Sequence, residues 1–167
     1  VLAFPATVLF EGTNISEGRG TTRSLEQIGH PQIRPYEMQK KLKQLLDKAN
    51  LQGIALRPVS FLPMFQKHAQ TQCQGHFIHV TDPSKARTWQ LGQLLMRLYF
   101  ETLGESFQWK SDGYEYQYDR PAIDYINGTD ILRKWVEESG DLGELQKIES
   151  EGQQEFLLKR RQNLLYA

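Results

Sequence analysis

Gln74-Gly75-His76-Phe77-Ile78-His79-Val80-Thr81, then Asp82-Pro83-Ser84, then the run from Trp89 to Leu103 decide the fold class of this chain. The first stretch alternates, with Phe77 and His79 on one face of a strand and His76, Ile78 and Val80 on the other. The last carries Trp89, Leu91, Leu94, Leu95, Leu98, Tyr99 and Leu103, an apolar surface broader than a single stripe. A helix is predicted over 84–103, opened by Asp82-Pro83-Ser84 and stopped by Gly104, central and largely buried. A strand that feeds a buried helix makes the chain a mixture of the two classes.

Working outward, Ile54–Phe61 reads as another strand, which Pro58 confines to a sheet edge or a bulge. Before it, Met38, Leu42, Leu45, Leu46 and Ala49 mark one face of a helix over 35–49, with Pro35 in its first turn and four lysines off the stripe. Val1–Phe10 is short, apolar and β-prone, and is read as a strand running into a loop at 11–24. Downstream, 105–120 is rich in aromatic residues, and Tyr114, Tyr116 and Tyr118 would point one way on a strand. Asn127-Gly128 ends a short helix, Thr129 caps a second, and a last helix is expected over about 141–165, with Gly152 allowing a close approach. The expected architecture is α+β (α/β-like), a sheet of two to three strands flanked by four to five helices.

The 167 residues suffice for one domain with a workable core. Twenty basic and twenty acidic side chains cancel, so no global field favours nucleic acid or acidic lipid. No apolar stretch approaches the length of a membrane-spanning helix, and no membrane insertion is expected. Cys73 stands alone, which rules out an internal disulfide and makes a structural thiol the default. His30, His68, His76 and His79 form no metal signature, since His76 and His79 point to opposite faces of one strand.

The densest polar chemistry lies in Val8-Leu9-Phe10-Glu11-Gly12-Thr13-Asn14-Ile15-Ser16-Glu17-Gly18-Arg19-Gly20-Thr21-Thr22. Three glycines, two carboxylates, an arginine and an asparagine follow an apolar run. The glycine spacing matches neither G-x-G-x-x-G nor a Walker loop, so no nucleotide is implied. Two readings stay open, a structural turn capped by Asn14 and Ser16 and a ligand-contacting loop.

This loop resembles the signature of the exo-β-N-acetylmuramidase family, glycosidases long catalogued as a domain of unknown function. Arg57-Pro58-Val59-Ser60-Phe61-Leu62-Pro63-Met64-Phe65 is similar to the family's Arg-Pro-x-x-Phe-x-Pro-x-Phe segment. Cys73-Gln74-Gly75 with His79-Val80-Thr81-Asp82 is similar to its Cys-x-Gly-x-x-x-His-Val-Thr-Asp segment. Gly128-Thr129-Asp130, Leu132-Arg133 and the terminal Leu164-Leu165-Tyr166 follow in the family's order.

The resemblance implies the C-terminal part of a two-domain enzyme, with 1–30 ending a Rossmann-like catalytic domain that holds the Gly-rich loop and 31–167 forming an auxiliary α/β domain. It implies a cofactor-free hydrolase that removes N-acetylmuramic acid from non-reducing ends of peptidoglycan fragments, partnered by the N-terminal domain that carries the main catalytic carboxylate. The rival reading is a non-catalytic carbohydrate-binding or lid module. Because peptidoglycan is the implied substrate, an extracytoplasmic location, periplasmic or secreted, is expected. Glycoside hydrolysis needs a carboxylic acid near the leaving oxygen. Glu11, after Leu9-Phe10, is the candidate acid, and an ion pair with Arg19 or Arg23 is its bland alternative. Arg19 suits the lactyl carboxylate of muramic acid, with Arg57 and Arg23 competing for that role. Asn14, Glu17, Arg57 and His79 complete the expected substrate contacts, and a hydrogen-bonded place under the sheet is the alternative for His79.

Overall fold

A computed structural model describes residues 1–165. Tyr166 of the terminal motif lies outside the described residues. The chain is α+β: a three-stranded antiparallel sheet packed against helices. Its elements are α1 Phe4–Thr7, β1 Gln27–His30, α2 Pro35–Lys48, β2 Ile54–Phe61, β3 Cys73–Val80, α3 Thr88–Leu103, α4 Ala122–Asn127, α5 Ile131–Glu137, α6 Leu142–Ser150 and α7 Gln153–Arg161. The strand order is β1-β3-β2, so β2, with Pro58, lies at an edge as its missing N–H requires. Among the described residues no helix is long and apolar enough to cross a membrane.

Helix α3 forms the centre of the packing. Leu91, Leu94, Leu95, Met96 and Tyr99 are all buried. The Tyr99 hydroxyl lies 2.9 Å from His76 Nδ1 and fastens α3 to the inner face of β3. On the other face of β3, the rings of Phe77 and His79 stand 4.5 Å apart, as the alternation predicted. The buried histidine is nonetheless His76. His79 is exposed, which corrects its expected place under the sheet. Cys73 is buried, and that burial pushes its thiol up to about 11, so it is inert at neutral pH.

Four expectations are corrected. Val1–Phe10 holds no strand: Phe4–Phe10 is helical, with α1 followed by a 3-10 turn over Val8–Gly12, and Ala6 and Leu9 pack beneath Gly92 of α3. Short apolar runs do not distinguish a buried helical turn from a strand, and here Pro5 starts the helix. The third strand is instead β1, whose four residues are too few to show a period. The helix expected over 141–165 breaks at Gly152, left-handed at φ 73°, with no atom within 4 Å of where a Cβ would sit, so it separates α6 from α7. Finally, Tyr114, Tyr116 and Tyr118 do not share a strand face. Tyr114 and Gln117 close a tight turn, and Tyr116 and Tyr118 are exposed.

Residues 1–30 and the remainder share one core. Phe10, Ile15 and Ile28 lie in the same buried cluster as Leu95, Ile123 and Leu145, so no break in packing falls at residue 30. The motif around 128–133 also has a structural explanation. Gly128 ends α4 in a left-handed cap, and Arg133 grips the buried Asp124 through Nε at 2.9 Å and Nη2 at 3.1 Å. That fork locks α5 onto α4.

Candidate functional site

Three segments from distant parts of the sequence meet at a cleft of about 720 Å³. The first is the loop 11–19, which leaves the 3-10 turn and is pinned to β1 by paired backbone bonds between Ser16 and Gly29, both 2.9 Å. The second is 108–115, held alongside it by Asn14 N–H to the Gln108 carbonyl at 2.9 Å and Lys110 N–H to the Gly12 carbonyl at 2.8 Å. The third is the β2–β3 connection, which carries Gln66 and Lys67. Gly20, left-handed at φ 79°, lets the first loop lie against this connection, where a Cβ would come within 2.6 Å of Met64 N.

The floor of the cleft is a chain of four charges. Glu17, 2% exposed, accepts from Lys67 Nζ at 2.8 Å and from Arg19 Nε at 2.9 Å. Arg19 Nη2 continues the chain to Glu11 Oε1, and the Tyr114 hydroxyl donates to Glu11 Oε2 at 3.3 Å. Lys67 Nζ also donates to the carbonyls of Phe10 at 2.7 Å and Ile15 at 3.2 Å, so its three protons meet three acceptors. Burial pushes Lys67 down from the usual lysine range, against the pull of Glu17. The hydrogen bond to Glu11 holds the Arg19 guanidinium above its ordinary value. Burial, reinforced by Glu11, raises the Tyr114 phenol. Among the described residues Arg19 Nη1 has no partner, and the side chain remains 35% exposed to the cleft.

Of the six expected site residues, Glu11, Asn14, Glu17 and Arg19 line this cleft. The ion pair of Glu11 with Arg19, the bland reading, is present, but it sits in the cleft wall. Asn14 is largely consumed by structure: Nδ2 donates to the Ser106 carbonyl at 2.8 Å and Oδ1 accepts from Gln108 N–H at 3.1 Å. Arg57 and His79 are elsewhere. They meet each other at 3.4 Å across β2 and β3, and Arg57 lies over the Phe77 ring at 5.5 Å. Arg23, the other competitor, pairs with Glu26 at 3.0 Å and also covers Phe77. Lys67 belongs to the cleft but was not singled out from the sequence, and Trp109 and Tyr114 of the aromatic-rich stretch 105–120 line it as well. Among the described residues no three His, Cys, Asp or Glu side chains gather in a way that could hold a metal ion.

Beneath the cleft, His68 Nε2 lies 2.7 Å from the Asn14 carbonyl, and its ring stands edge-on to His30, 4.6 Å between centroids. Burial, with His68 adding to it, lowers His30 to about 4, and burial does the same to His76. A histidine whose folded pKa lies below the unfolded value of about 6.5 binds fewer protons in the folded state. Its stabilising contribution is complete above pH 6.5 and is lost as pH falls toward 4. Each should therefore cost roughly 1 kcal/mol of stability between pH 6.5 and 5.5. Urea unfolding across that range measures it, and His30→Gln should flatten the slope by about half.

A small α+β module with an open, charged and aromatic-rimmed cleft is the class these features define. Residues 2–166 match the family described as exo-β-N-acetylmuramidase NamZ, C-terminal, and the chain belongs to that family of glycosidases. It is 33% identical over 163 residues to the peptidoglycan β-N-acetylmuramidase NamZ of Bacillus subtilis (strain 168), a match that covers 98% of this chain and 36% of that relative. Two crystal structures of DUF1343 family proteins from Bacteroides fragilis share the fold. One has a TM-score of 0.77 at 16% identity, covering 99% of this chain and 42% of its own. The other has a TM-score of 0.62 at 22% identity, covering 99% and 40%. The chain thus spans well under half the length of the relatives it matches.

Proposed function

We propose that this chain forms one wall of the substrate cleft in an exo-acting hydrolase that releases N-acetylmuramic acid from non-reducing ends of peptidoglycan fragments, and that the enzyme works outside the inner membrane where that polymer lies. The observation that carries the reading is Arg19, braced by Glu11 and Glu17, whose Nη1 has no partner among the described residues and faces a cleft walled by Trp109 and Tyr114. A guanidinium fixed on two sides is preorganised to receive a further oxygen, such as the lactyl carboxylate that distinguishes muramic acid. Lys110 adds a further cation to the same wall. The aromatic rings supply apolar faces for a sugar.

Of the four carboxylates that line the cleft, the two in its floor are already engaged by cations, Glu11 by Arg19 and Glu17 by Arg19 and Lys67, while Asp112 lies 3.9 Å from Lys110 and Glu115 is exposed to solvent. That arrangement favours a binding wall over a complete acid and nucleophile pair. The reacting carboxylate is therefore assigned to the remaining length of the enzyme, which keeps the non-catalytic lid as a second reading of this part. Arg19→Lys in the full-length protein tests both, because it keeps the charge and removes the fork. Selectivity for chromogenic N-acetylmuraminides over N-acetylglucosaminides should fall by about 1.5–3 kcal/mol, the worth of a bond to a charged group. A loss confined to KM marks a binding wall, whereas a fall in kcat places the Arg19–Glu11 pair in the transition state. Unchanged selectivity removes Arg19 from the lactyl role.

A further inference from the structure

A second cavity, of about 440 Å³, opens between α3, the α4–α5 junction and α6, and shares no residue with the cleft. Its walls are Trp89, Asn127, Thr129, Leu132, Ile148 and Glu149, closed at one end by Gln153 of α7. Gln153 Nε2 donates to the Glu149 carbonyl at 2.8 Å, so the first residue of α7 stands at the rim.

Among the described residues, the polar groups around this cavity are incompletely paired. Asn127 Oδ1 accepts from the buried Gln93 at 2.8 Å, which leaves its Nδ2 buried and without a partner. Gln90, fully buried, spends its amide N–H on Glu149 at 3.1 Å and leaves Oε1 unpartnered. The tryptophans show the same contrast. Trp109 donates its indole N–H to Glu137 at 2.8 Å and Trp135 to the Asp141 carbonyl at 2.8 Å, whereas that of Trp89 has no partner among the described residues. Buried polar atoms are rarely left unmatched, and each costs about 1–3 kcal/mol when it is. Here Asn127, with its unmatched Nδ2, lines the concavity beside the indole of Trp89, and the unmatched Gln90 Oε1 belongs to the side chain that backs Glu149 of its wall.

We infer that this cavity is a second carbohydrate subsite, which takes one neutral pyranose residue of a glycan. The indole of Trp89 gives an apolar, electron-rich face for the C–H side of a sugar ring. Asn127 Nδ2 and the Trp89 N–H supply donors, and the Glu149 carboxylate supplies an acceptor, as paired hydroxyls or an N-acetyl group require. The Glu149 carboxylate disfavours an anionic residue, so the site selects a neutral sugar where the cleft, through Arg19, is suited to an acidic one. The volume lies within the range of small-ligand pockets and exceeds a single hexose. The inference does not depend on how the cleft is used.

Titration of the full-length protein with chitotriose, a neutral N-acetylglucosamine trimer, tests it by calorimetry together with hydrogen exchange. Binding should protect segments 86–93, 125–132 and 145–153. Asn127→Ala and Glu149→Ala should each weaken that binding about tenfold or more, while unfolding curves confirm that both variants are folded. Trp89→Phe, which keeps an aromatic wall and removes the N–H, should weaken it less than Asn127→Ala. Protection confined to 11–19 and 108–115, or affinity unmoved by the Asn127 and Glu149 variants, would overturn the second subsite and leave the cleft reading intact. Loss of selectivity in Arg19→Lys, or its absence, bears on the cleft alone.

Discussion

Replacing Lys67 by Met is expected to destabilise the folded chain by about 3 kcal/mol, read as a lower urea midpoint at unchanged slope. Glu17 is nearly inaccessible, 3% exposed at the side chain, and Lys67 retains only 21%. Removing one partner of a desolvated pair strands the other, which typically costs about 3–5 kcal/mol. Arg19 would still hold Glu17 Oε1, which places the expectation at the lower end of that range. The carbonyls of Phe10 and Ile15 lose a donor in the same step. The β2–β3 connection also holds Gln66, His68 and Gln70 left-handed at φ 64°, 56° and 58°. Non-glycine residues adopt that conformation only where other contacts impose it, and Lys67, together with His68 on the Asn14 carbonyl, supplies such contacts in the segment. The double variant Lys67→Met with Glu17→Gln should recover at least half of the loss, since a neutral amide no longer needs a cation. If the single and double variants are equally unstable, the pair does not act as a unit and the floor of the cleft is held by packing alone.

What local pattern can encode was legible in the sequence. The stripe of Met38 and Leu42, the breadth of α3 and the alternation through His76–His79 each report burial on a neighbouring element, because period and face are set within a few residues. The loop 11–19 announced itself by composition, and five of its residues, Glu11, Thr13, Asn14, Glu17 and Arg19, do line the cleft. Lys67 could not be found that way. Its three acceptors lie 50 or more residues away, and nothing near Phe65-Gln66-Lys67-His68 marks it as buried. Arg57 and His79 were drawn to the site by motif, yet a motif shows only that a residue is retained. Here both residues belong to the exposed face of β2 and β3, stacked on Phe77. The N-terminal segment failed for a different reason. Val8-Leu9-Phe10 is apolar enough for either conformation, and its packing against α3 and α4 selected the helical turn.

Gly75→Ala should be at least as damaging as the Lys67 variant, with a loss of about 3 kcal/mol or more. Gly75 faces Gly29 across β1 and β3, and Val59 on the side of β2. A Cβ there would stand 1.9 Å from the Ile28 carbonyl oxygen and 2.6 Å from Gly29 Cα. Both are backbone atoms, so no rotamer change relieves the clash and the strands must part. Overpacking a well-filled core costs typically about 1–3 kcal/mol, and an immovable neighbour sets the upper end or beyond. The damage should also reach the cleft. Gly29 exchanges both backbone bonds with Ser16, and Ser16 adjoins Glu17, so a displaced β1 carries the charged floor with it. In a chain of this length 3 kcal/mol corresponds to a fall in Tm of roughly 6–12 °C. Gly128→Ala is the control: it also lies left-handed at φ 72° but has nothing within 4 Å, and should cost only about 1 kcal/mol. Amide exchange at Ile28 and Gly29 should accelerate in Gly75→Ala before that of α3 does, because β1 is the element forced away. A Tm within 2 °C of the parent, with β1 amides still protected, would mean that the two strands do not approach as closely as this register requires.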